Sequence, residues 1–156
     1  MALIRILVDG YSLLHGWPEL APGKPRHSAA ARDELIHQLT RYRDAIGTPI
    51  TIVFDGANKD IRLSTVESTP EVEILYSRAG QTADQIIERA AHRLSAYGDV
   101  LAVTDDFAER DTVIAMGGMA SSCLNFISSI EAAFAELQDE VKAHNRAERN
   151  RFTRPK

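Results

Sequence analysis

Short runs of branched, apolar residues punctuate the chain, and most of them end in acid. Ile4-Arg5-Ile6-Leu7-Val8 runs straight into Asp9-Gly10. A near-continuous run of this kind reads as a strand buried on both faces, as in a parallel sheet. Ile50-Thr51-Ile52-Val53-Phe54 repeats the pattern into Asp55-Gly56, and Val100-Leu101-Ala102-Val103-Thr104 delivers Asp105-Asp106. Glu71 to Tyr76 alternates, which predicts a third strand nearer an edge. A short last strand is expected around Met116 to Ala120.

Between these runs the period lengthens to that of helices. Tyr11 to Leu20 reads as a short apolar helix closed by Trp17-Pro18, and Ala21 to His27, with Lys24, Arg26, His27 and two prolines, reads as a loop. Ser28 is placed to cap a helix whose buried stripe is Leu35, Leu39, Tyr42 and Ile46, with Gly47 at its C-terminal end. Ala57 to Pro70 is polar and irregular, and Ser77 to Gln81 is a loop. Thr82-Ala83-Asp84-Gln85 has the spacing of a capping box, followed by a stripe of Ile86, Ile87, Ala90, Ala91 and Leu94 and an expected end at Tyr97-Gly98. Phe107 to Met116 reads as a helix broken by Gly117-Gly118. From Ser122 onward, Leu124, Ile127, Ile130, Phe134, Leu137 and Val141 define a long amphipathic helix, suited to packing on its own sheet or on another subunit. Strands alternating with helices imply right-handed βαβ units. The expected fold is a three-layer α/β/α domain with a mostly parallel central sheet.

Length and composition sharpen this picture. A chain of 156 residues fits one domain with a substantial core. No apolar run approaches the ~20 residues of a membrane helix, and the start shows no secretory pattern. The single cysteine, Cys123, rules out an internal disulfide and reads as a buried structural thiol. Together these predict a soluble protein in a reducing, cytoplasmic setting. The net charge is −4, but its distribution is uneven. Residues 1–142 form the expected domain, whereas residues 143–156 carry Arg146, Arg149, Arg151, Arg154 and Lys156 against Glu148. A basic tail and an acidic pocket coexist in proteins that grip phosphates while holding a metal.

The candidate chemistry lies where the strands end. In an open α/β sheet, ligands bind outside the carboxyl ends of the strands. Asp9, Asp55 and Asp105-Asp106 end three strands, and Asp84 opens a helix that follows a strand, so all face one sheet edge. Crowded carboxylates raise one another's pKa unless a cation compensates, and magnesium or manganese suits oxygen donors. Each acid also has a simpler role: Asp84 suits a helix dipole, Asp55 a turn, and one of Asp105 and Asp106 a helix cap while the other binds metal. Their coincidence at one edge favours a metal site. His15 reads as a packed or surface histidine. No GxSxG, Walker A or GxGxxG pattern occurs, which argues against esterase, P-loop and dinucleotide-binding readings.

Four of these motifs occur in a familiar order: Ile6-Leu7-Val8-Asp9-Gly10-Tyr11, Val53-Phe54-Asp55-Gly56, Gly80-Gln81-Thr82-Ala83-Asp84 with Ile87-Glu88, and Val103-Thr104-Asp105-Asp106. From about Leu3 to Ile130 the chain resembles the NYN domain, in its YacP-like branch, within the PIN-like nuclease superfamily. The resemblance implies a metal-dependent ribonuclease, in a family that includes endonucleases cutting ribosome-associated messenger RNA. It implies that Asp9, Asp84 and Asp106 hold the metal, Mg²⁺ or Mn²⁺, with Asp55 and Asp105 as supporting or second-ion ligands. Ser12 stands where the family's first motif has asparagine, and Asp105 where serine is usual. On this reading Ser12 orients substrate or a ligand carboxylate, and Lys59, Arg78 and the tail neutralise RNA phosphates. Two rivals use the same fold: a PIN-like RNA- or ribosome-binding module that no longer cleaves, and a response-regulator-like acidic pocket. The latter lacks a convincing lysine at the last strand.

Overall fold

The structure, a computed structural model, describes residues 2–56 and 67–153. It contains β1 (Leu3–Asp9), α1 (Gly10–His15), α2 (Ala29–Ile46), β2 (Ile50–Phe54), β3 (Val72–Tyr76), α3 (Ala83–Leu94), β4 (Asp99–Val103), α4 (Phe107–Ala115), β5 (Met119–Ser121) and α5 (Cys123–Thr153). The strands form one sheet in the order β3-β2-β1-β4-β5, every pairing parallel. This is the expected α/β fold. From β1 the chain first builds outward through β2 to β3, then returns past β1 to lay down β4 and β5. The reversal puts a switch point between the carboxyl ends of β1 and β4, where a doubly wound sheet opens a crevice.

The two-residue period of the strands splits the core. Ile6, Val8, Ile50, Ile52 and Phe54 face α1, α2 and α5, meeting Leu13, Leu35, Leu39, Phe126 and Ile130. Leu7, Val53, Val100 and Ala102 face the other way, onto Ala83, Ile87 and Ala91 of α3 and Val113 of α4. Because both faces are covered, β1 and β2 read as unbroken apolar runs.

Local signals place the helices. The Ser28 side chain accepts from the Ala31 amide, and Gly47, at φ 78°, closes α2 in the left-handed conformation that glycine adopts freely. Thr82 and Gln85 form a complete capping box at the start of α3, so that Asp84 is fixed at its second position. Helix α1 stops at His15, earlier than expected, because Gly16 turns the chain and residues before Pro18 avoid the helical region. Helix α3 ends at Leu94 rather than near Tyr97, which lies in a turn whose amide donates to Leu94 O.

The last helix differs most from expectation. Its buried stripe is Cys123, Phe126, Ile127 and Ile130, while Leu124 is 71% exposed and Leu137 and Val141 are 45% and 51% exposed. At 31 residues α5 is about 46 Å long, whereas a strand of five to seven residues spans only about 17–23 Å. Its far half therefore runs beyond the sheet, and it carries Arg146, Arg149 and Arg151 in helical backbone. Among the described residues no helix is long and apolar enough to cross a membrane.

One glycine is demanded by packing. A Cβ on Gly10 would lie 2.4 Å from Cε1 of Phe54. That ring is buried and held between Tyr11 and Tyr76, with centroids 5.2 and 5.6 Å away, so it has nowhere to move. Gly10→Ala is expected to cost about 2 kcal/mol, as overpacking does, visible as a lower urea midpoint. An unchanged midpoint would show that the ring gives way.

Candidate metal centre

Asp9 is the last residue of β1 and also the cap of α1: its Oδ1 accepts from the Ser12 amide at 3.3 Å. Burial pushes its carboxyl up to about 6, against the pull of the Ser12 N–H. Repulsion from Asp84, Asp55 and Asp106 adds to the rise. Asp84 approaches from the first turn of α3. The third carboxylate is Glu109, on the first turn of α4, with 2% exposure. Oxygens of Asp9, Asp84 and Glu109 all lie within 4.8 Å of one another. Burial, then the neighbouring Asp84, drives the Glu109 carboxyl well above the ordinary range, with the Thr104 hydroxyl working in the opposite direction. Neither Glu109 oxygen sits in hydrogen-bonding geometry with a partner. Buried carboxylate oxygens without donors are costly unless a cation meets them. The donor set is all oxygen, which fits a hard divalent cation.

The other acids at this edge are engaged in local structure. Asp106 Oδ1 accepts from the amides of Ala108 at 2.9 Å and Glu109 at 3.3 Å, capping α4. Asp105 Oδ1 accepts from the Cys123 amide at 2.9 Å, and the Asp105 amide donates to Ser12 Oγ at 3.2 Å. Ser12 thus touches both acids, Asp9 through its amide and Asp105 through its hydroxyl. Asp55 Oδ1 accepts from the Ser77 hydroxyl at 3.0 Å, and Ser77 Oγ accepts from the Gly56 amide at 2.8 Å, tying together the loops after β2 and β3. Cys123 is buried, and burial pushes its thiol up to about 12. Arg78 is exposed in the turn after β3 and does not line the cleft described next. Lys59, Arg154 and Lys156 lie outside the described residues.

A cleft of about 480 Å³ opens over the acids. Asp9, Asp55 and Asp84 line it from the strand ends and α3, and Tyr11, Ser12, His15, Arg26 and His27 line it from α1 and the loop before α2. The sequence reading missed Glu109, Arg26 and His27 as site residues. Asp106-Phe107-Ala108-Glu109 has cap-to-N3 spacing, which reads as a capping box with glutamate turned back to the cap. The available signal was that Glu109 lies four residues before the buried Val113, on the inward face of α4.

The family described as the YacP-like NYN domain matches residues 6–155, nearly the whole chain. The chain belongs to this family. NYN domains fall within the PIN-like nuclease superfamily, and the acidic cluster fits a metal site of that kind. The "Uncharacterized protein YacP" of Bacillus subtilis (strain 168) is 28% identical over 138 residues, covering 88% of this chain and 81% of that protein. The crystal structure of Rae1 (YacP) from Bacillus subtilis matches with a TM-score of 0.75 at 24% identity, covering 95% of this chain and 84% of that one. A point mutant of the same protein matches with a TM-score of 0.76, also at 24% identity, over 92% of this chain and 84% of that one. These two likenesses establish the shared fold.

Proposed function

We propose that this YacP-like NYN protein is a divalent-metal-dependent endoribonuclease that hydrolyses RNA phosphodiester bonds. The observation that carries the reading is the Asp9–Asp84–Glu109 cluster at the sheet's switch point, with both Glu109 oxygens buried and outside good hydrogen-bonding geometry. These three residues would hold Mg²⁺ or Mn²⁺. When bound, such an ion supplies charge stabilisation to a phosphoryl group and a water activated for attack. Every other part of the chemistry falls to the chain. The Ser12 amide fixes Asp9 Oδ1, and Asp106 holds α4 so that Glu109 points inward. Asp55 and Asp105 keep the surrounding loops in place and add negative potential that draws a second cation. Burial raises the carboxyls of both Asp9 and Glu109, with Asp84 adding to each, so holding an ion would require them to release protons and metal affinity would rise with pH. The substrate of this reading is RNA, with ribosome-associated messenger RNA the case that the family resemblance suggests.

The test is cleavage of labelled total RNA with manganese, run for wild type, for Asp9→Asn and with EDTA. Cleavage by wild type alone, abolished by the chelator, is the expected result. A folded wild type that binds RNA but cuts none, with either metal, would make the chain a binding module instead.

A further inference from the structure

The cleft carries both signs of charge, and the two do not neutralise each other. Asp9, Asp55 and Asp84 line it from the sheet edge, and Arg26 and His27 from the loop between α1 and α2. Arg26 nevertheless forms no ion pair with a carboxylate among the described residues. Its Nη1 instead donates to His15 Nδ1 at 2.7 Å, a partner that leaves the guanidinium charge uncompensated. Next to it, the His27 ring lies against Tyr11, with centroids 4.5 Å apart and the planes tilted by 47°. The loop is not merely draped there. Arg32 of α2, almost fully buried, donates through Nη1 to the His27 carbonyl at 2.8 Å and to the Tyr11 hydroxyl at 3.2 Å. One buried guanidinium thus fixes both the ring pair and the backbone beside Arg26.

We propose that the loop between α1 and α2 is the substrate-gripping wall of the cleft, with Arg26 binding an RNA phosphate beside the cleaved one. The Tyr11–His27 pair receives the adjoining base on its aromatic surface. The inference rests on the ribonuclease reading and adds to it the residues that hold the strand. An arginine fork matches two phosphate oxygens, whereas a lysine supplies only a point charge. Aromatic rings accept any base by stacking, which suits a single strand of varied sequence. The chain is acidic overall at −4, so RNA needs a local cationic contact to approach three carboxylates. Arg32 is a positioning residue in this scheme, because it acts through Tyr11 and His27.

The experiment has two arms. Steady-state cleavage with manganese is measured for wild type, Arg26→Ala, Arg26→Lys, His27→Ala and Lys24→Ala. Anisotropy of a fluorescein-labelled single-stranded RNA is then followed across a salt series with the same substitutions made in Asp9→Asn. Lys24 is the control, since it lies on the same loop but, unlike Arg26 and His27, does not line the cleft over the acids. Arg26→Ala is expected to raise KM about tenfold with a smaller change in kcat, and to lower the salt slope of binding by about one. Arg26→Lys recovers part of the loss, His27→Ala weakens binding without changing the salt slope, and Lys24→Ala behaves as wild type. Arg26 is exposed, so unchanged melting curves will show that the variants fold. Cleavage by wild type with unaltered KM and salt slope in Arg26→Ala would overturn the inference and leave the ribonuclease reading standing. Absence of both binding and cleavage in folded wild type would remove the two together.

Discussion

Asp9→Asn is expected to abolish RNA cleavage while making the metal-free protein more stable. The two effects have one cause. Burial and three neighbouring acids lift the Asp9 carboxyl from 3.8 to about 6 in the folded chain. As pH rises from about 4 to about 6, the unfolded chain releases this proton before the folded one does. The folded state then binds more protons, so stability falls with pH across that window and stays lowered above it. A shift of about two units corresponds to an upper bound of about 3 kcal/mol, reduced in practice by the partial exposure of the group. Asparagine carries no charge to desolvate, and its Oδ1 still accepts from the Ser12 amide, so the cap on α1 survives. The variant should therefore melt a few degrees above wild type at pH 7.5 in EDTA and close to it at pH 4.5. Manganese should reverse the ranking, stabilising wild type by mass action and leaving Asp9→Asn almost unmoved. Loss of a metal ligand removes several kcal/mol of transition-state stabilisation, about a thousandfold in rate. A variant less stable than wild type in EDTA at pH 7.5 would mean that Asp9 is a structural acid, paired rather than crowded.

Much of this arrangement is legible in the chain because local and global signals agree. Asp9 and Gly10 follow an apolar run, so the position of the acid at a strand end can be read without coordinates. The capping box at Thr82 fixes Asp84 to a helix start in the same way. Glu109 resists such reading because its spacing from Asp106 satisfies a local rule, and only tertiary placement turns its carboxylate toward Asp9 and Asp84. Arg26 and His27 sit in a loop rich in glycine and proline, where no period points a side chain anywhere. Their orientation depends on Arg32, five residues beyond His27 in α2, whose burial a helical pattern would not suggest. The exposed half of α5 is hidden for a different reason. An apolar stripe is visible in sequence, but the edge of the sheet beneath it is not.

Glu109→Gln should separate the cluster seen in the structure from the set implied by family resemblance. The resemblance places Asp106 beside Asp9 and Asp84. In the structure Asp106 Oδ1 accepts two amides of α4, and Glu109 brings the third cluster oxygen. Glutamine keeps the shape of glutamate but offers a neutral oxygen to a cation, and at a buried site already driven toward the protonated form it removes little folded-state charge. Cleavage should fall about a hundredfold or more, and the manganese-induced rise in melting temperature should shrink, with little change in EDTA. Asp106→Asn is the matched comparison. Asparagine caps a helix about as well as aspartate, so this variant should keep α4 in place and retain activity to within severalfold. Asp106→Ala, which lacks the cap, should lose about 1 kcal/mol of stability, and its activity should fall because Glu109 is carried on the same turn. If instead Asp106→Asn loses both activity and the manganese shift while Glu109→Gln keeps them, the ion is held by Asp9, Asp84 and Asp106. Glu109 would then be a protonated neighbour, its proton shared with Asp84 and its role confined to shaping the pocket.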